Sequence, residues 1–192
     1  MRRTVLTLAS AAGSLAVLAG PAFAHVGAGH ADGFAAGLAH PFLGLDHPIA
    51  MAAVGVWSAT AAPCRPWAAP AAFVGMMIAG AALSFAGIGL PAVEGMVALS
   101  VLAVGLMIVA GAGLPAVAGV GLAGIFAVFH GHAHASEASG AALAYVAGFT
   151  LSTAALHGLG VGIGLKLARS PLARAGLGIL VAGSGAALVF GG

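Results

Sequence analysis

The chain has 192 residues, of which 61% are hydrophobic and 5% charged, and its mean hydropathy is +1.14. Soluble domains carry about 25% charged residues, so this composition excludes a soluble globular protein, and its hydrophobicity excludes disorder despite 32 glycines. The net charge of +2 comes from six scattered Lys and Arg, which is no footprint for nucleic acid.

The opening segment MRRTVLTLASAAGSLAVLAGPAFA reads as a secretory signal peptide over residues 1–24. Arg2 and Arg3 precede an apolar run, and Ala22 and Ala24 form an A-x-A exit that predicts cleavage before His25. Six apolar blocks follow, each near the 20 or so residues that cross a bilayer core about 30 Å thick. They predict an all-α polytopic membrane protein forming one domain over residues 25–192. The spans fall at about residues 34–62, 68–85, 92–110, 115–134, 141–165 and 172–190. Cys64 is alone, so no intrachain disulfide forms, and a small residue in a proline-flanked loop is its plain reading.

Beyond the signal, the basic residues are Arg65, Lys166, Arg169 and Arg174. Arg65 falls between spans one and two, the rest between spans five and six. The positive-inside rule therefore predicts both loops in the cytoplasm and both termini in the periplasm. Three spans in each half also permit an inverted repeat, with histidines in spans one and four.

The stretch HPFLGLDHPIAM, starting at His40, places groups that lipid rejects inside the first span. An intramembrane carboxylate costs about 2.5–3.5 kcal/mol on insertion scales unless something pairs with it. No Lys or Arg lies in the interior of a mature span to pair with Asp46, Arg174 being at the very start of the sixth, so a metal cation is its natural partner. A continuous helix would bring His40 and His47 within about 20° of one face, two turns apart. Pro41 and Pro48 each remove a backbone donor, which predicts local unwinding. The fourth span ends FHGHAHASE, where His130 and His134 have the i, i+4 spacing of two ligands on one face. His132 points elsewhere on that helix, and Glu137 follows His134 by three. The fifth span adds His157, with Ser152 and Thr153 upstream, and the third adds Glu94 near its outer end. Met51, Met76, Met77 and Met107 read as packing.

These segments, together with PAVEGMVALSVLAVG and GFTLSTAALHGLGVGIG, resemble the signature motifs of the HupE/UreJ family over nearly the whole mature chain. The resemblance implies a bacterial secondary nickel or cobalt permease, in some members a hydrogenase or urease accessory protein. It also implies that His40, Asp46, His47, His130, His132, His134 and Glu137 belong to the functional motifs. Family members commonly carry glycine where this chain has Ala135 and Ser136.

The expected function is transport of Ni²⁺ or Co²⁺ as substrate across the inner membrane, with no resident cofactor. His40, Asp46, His47, His130, His134 and His157 form the main site, and His25, His30 and Glu94 are possible entry ligands. Imidazole and carboxylate without thiolate suit Ni²⁺, Co²⁺ or Zn²⁺ alike. The chain has no P-loop, so a gradient, the membrane potential or trapping inside must drive uptake. The competing reading is an intramembrane zinc hydrolase with Glu137 or Glu94 as general base. It lacks a motif such as H-E-x-x-H.

Overall fold

A computed structural model describes residues 33–191. The predicted signal peptide, His25 and His30 lie outside the described residues. Among those described there are seven α-helices and no strand: α1 (Gly33–Ala39), α2 (Asp46–Ala61), α3 (Ala68–Phe85), α4 (Val93–Ala110), α5 (Ala116–Ser136), α6 (Ala142–Leu167) and α7 (Pro171–Phe190). The five helices from α3 to α7 are each long and apolar enough to cross a membrane, and α1 with α2 forms a sixth, broken span bent by 76°. Large apolar side chains such as Val117, Leu143, Leu172 and Ile179 point outward. That is the surface of a protein solvated by lipid.

The break is single. His40–Phe42 form a tight 3-10 turn, residues 43–45 bend, and α2 starts at Asp46. Unwinding at both prolines was the sequence expectation, and Pro48 does not fulfil it. Pro48 lies in the first turn of α2, where backbone N–H groups have no intrahelical acceptor, so its missing donor breaks nothing. His40 and His47 do not share a face of one helix either. Seven residues of helix would separate them by about 10.5 Å along the axis. The bend instead brings their ring centroids to 6.1 Å.

Lipid offers helices no hydrophobic reason to associate, so close backbone approach at small residues supplies the packing. The broken span runs alongside α6, α3 packs on α5, and α4 packs on α7. Along the first seam a Cβ on Gly55 would overlap the His157 carbonyl, and one on Gly160 would overlap that of Ala52. Between α3 and α5, Gly131 meets the Met77 carbonyl in the same way. Exchanging the two halves span for span swaps the first two of these pairings and preserves the third, the pattern an inverted repeat requires. The equivalence is incomplete, because the broken span also packs on α4, with no comparable contact between α5 and α7. At the other end of α4, the Arg174 guanidinium donates to the Ile108 and Val109 carbonyls and so caps the helix C-terminus.

Candidate metal centre

The bend, α5 and α6 bring the sequence's polar residues to one place. Asp46 Oδ1 accepts two hydrogen bonds from His47, one from its backbone N–H and one from Nδ1–H, each 2.9 Å. Both side chains keep some exposure, 22% for Asp46 and 12% for His47, whereas His130, His134 and His157 are buried. The cluster therefore has an accessible rim at the break and a closed interior.

Four imidazoles touch in sequence. The ring centroids of His40 and His134 are 4.7 Å apart, those of His134 and His47 4.7 Å, and those of His47 and His130 5.0 Å. Phe149 stacks on His134 at 4.9 Å, and Tyr145 lies 5.8 Å from His40. One turn apart on α5, His130 and His134 both face the bent span.

Hydrogen bonds fix which nitrogen holds the proton in His47, His130 and His157. Ser100 Oγ donates to the Val97 carbonyl at 2.6 Å, so it accepts from His130 Nε2–H at 2.9 Å. His130 Nδ1 is then left with a bare lone pair. His157 Nδ1–H donates to the Met51 carbonyl at 2.7 Å, leaving Nε2 bare, and the Asp46 contact does the same for His47 Nε2. Those three atoms and both ring nitrogens of His134 are buried without a hydrogen-bond partner. A buried polar atom left unpaired costs about 1–3 kcal/mol, and a cation bound among the bare lone pairs would offset that cost. Partners that hold the far nitrogen of an imidazole are the usual outer support of a metal ligand.

In the described arrangement no three His, Cys, Asp or Glu side chains converge closely enough to hold one ion together. Two of the three ring contacts are edge to face and the third is tilted, so joint ligation of one ion would require the rings to turn. Other candidates stand apart. His132 Nε2–H donates to the Ile88 carbonyl at 3.0 Å, at the α3–α5 end contact. Glu137 is an exposed cap at the end of α5, and Glu94 is exposed in the first turn of α4. Sequence reasoning missed Ser100, whose signal was only a lone hydroxyl in an apolar run, and Phe73, which had none. Phe73 lies between His130 and His157, with centroids 5.4 and 5.1 Å away.

No solved structure matches this chain. The Protein HupE of Rhizobium leguminosarum bv. viciae is 45% identical over 153 residues, covering 78% of this chain and 80% of that one. The HupE / UreJ protein family is matched over residues 13–188, which include the bent span and every histidine of the cluster. This chain belongs to the HupE/UreJ family.

Proposed function

We propose that this protein is a secondary permease carrying Ni²⁺ or Co²⁺ into the cell across the inner membrane of a Gram-negative bacterium. The observation that carries this reading is the set of bare, buried imidazole nitrogens gathered around a broken span. Unwound helices at mid-membrane are where secondary transporters bind their ions. Asp46 supplies the negative charge a divalent cation needs, at the first turn of α2, where the helix dipole also favours a carboxylate. His40, Asp46 and His47 receive the ion at the exposed rim, and His134 and His130 draw it inward. With both termini periplasmic, that rim faces the periplasm and Glu94, His25 and His30 lie on the entry side. Neutral imidazoles bind borderline cations such as Ni²⁺ and Co²⁺ and leave Mg²⁺ to its water.

Cells producing the protein should accumulate Ni or Co above a vector control, with Zn measured in parallel. His130→Ala and His134→Ala should abolish the excess at unchanged membrane abundance. Equal accumulation by these variants and the parent would refute the site.

A further inference from the structure

Beyond Phe73 the buried polar groups change character. Thr153 and His157 are four apart on α6 and so share a face, as do Phe73 and Met77 on α3. The Thr153 hydroxyl lies 3.3 Å from Met51 Sδ and 3.6 Å from Met77 Sδ, and its single hydrogen can serve either sulfur. His157 is 1% exposed, its Nδ1–H is spent on the Met51 carbonyl, and its bare Nε2 is buried without a partner. Two thioethers and one hydroxyl thus meet where α2, α3 and α6 come together, with His157 one turn along α6 from Thr153 and bonded to the Met51 backbone, all fully buried. The sequence expectation that Met51 and Met77 only pack does not explain why a hydroxyl and a bare nitrogen accompany them.

We propose that Met51, Met77, Thr153 and His157 form an inner transit site for the metal, separated from the outer histidine cluster by the Phe73 ring. The proposal rests on the carrier reading above and adds to it a second station with different donors. Its thioethers are soft ligands that Mg²⁺ and Ca²⁺, which demand oxygen, do not accept, so the site filters out the abundant divalent ions. It contains no carboxylate, so it holds a dication more weakly than the cluster around Asp46. Weak holding suits a release station, since conduction needs sites that an ion can leave.

The test is X-ray absorption at the nickel edge on the purified full chain loaded with Ni²⁺, in a Cys64→Ala background that removes the exposed thiol. Above one equivalent of metal the spectrum should contain sulfur as well as imidazole scattering. The double variant Met51→Leu/Met77→Leu, a volume-conserving change that cores tolerate well, should lose the sulfur component and keep the imidazole one. Nitrogen and oxygen scattering alone at every loading would overturn the site, as would sulfur scattering that survives in the double variant. In liposomes the double variant should also take up Ni²⁺ more slowly than the parent, and excess Mg²⁺ should inhibit it more. An unchanged rate would remove the site from the path. Failure of the parent to admit Ni²⁺ would instead refute the carrier reading, while the spectrum still reports whether sulfur binds.

Discussion

Each partnered histidine of the cluster spends one nitrogen on an oxygen acceptor and turns the other, bare, into the interior. If these histidines ligate metal as proposed, the residues that accept their protons matter as much as the rings themselves. Ser100→Ala should therefore weaken Ni²⁺ binding by about 10- to 100-fold, the usual effect of removing such support, with little change in protein abundance. Equilibrium dialysis of the purified variant measures this, and an unaltered affinity would mean that His130 does not ligate. Asp46→Asn keeps the side chain's shape but removes the charge, and should leave no saturable uptake. The sequence made the clustered histidines and Asp46 legible because an ionisable group in a span needs a reason to be there. It did not disclose Ser100, since a hydroxyl can satisfy itself on its own helix and so needs no such reason.

Helix ends fell within a few residues of the expected spans because apolar length, proline and glycine mark them locally. The bend at residues 40–45 was legible in kind but not in form. Pro41 and Pro48 looked equivalent in the sequence, and only the restart of the helix at Asp46 makes one of them harmless. Helix partners were not legible at all. Lipid and neighbouring helices are equally apolar, so no face of a span announces what it packs on. Glycine contacts supply the missing specification and can be tested at this level. Gly131→Ala should lower the thermal stability of the detergent-solubilised protein and its metal binding together, because the new Cβ overlaps the Met77 carbonyl between His130 and His134. Gly121→Ala, on the same helix with nothing within 4 Å, should be neutral. Equal melting temperatures for the two variants would contradict the α3–α5 seam.

Across the whole molecule, orientation sets the direction of the proposed transport. The positive-inside rule predicts Arg65, Lys166, Arg169 and Arg174 on the cytoplasmic side, and the proposal accordingly turns the accessible rim of the cluster toward the periplasm. Cys64 is exposed beside Arg65 and reports on this directly. An impermeant thiol reagent should fail to label it in intact spheroplasts and label it in inverted vesicles. The reverse pattern would turn the molecule over and make the same site an exporter's. The pairing of the spans is nearly preserved when the halves are exchanged, the symmetry that alternating access by the proposed carrier would use.

On the proposed function, metal crosses the bilayer through this chain by way of the bent span's histidines. Purified protein in liposomes tests it most directly, because no cytoplasmic component is present to trap the ion or supply energy. With an inward Ni²⁺ gradient, vesicles containing the parent protein should accumulate the ion inside, and vesicles containing His47→Ala should match protein-free vesicles. If parent vesicles bind Ni²⁺ and Co²⁺ yet admit neither under any imposed gradient, the protein is not their carrier, and intramembrane hydrolysis becomes the activity to assay.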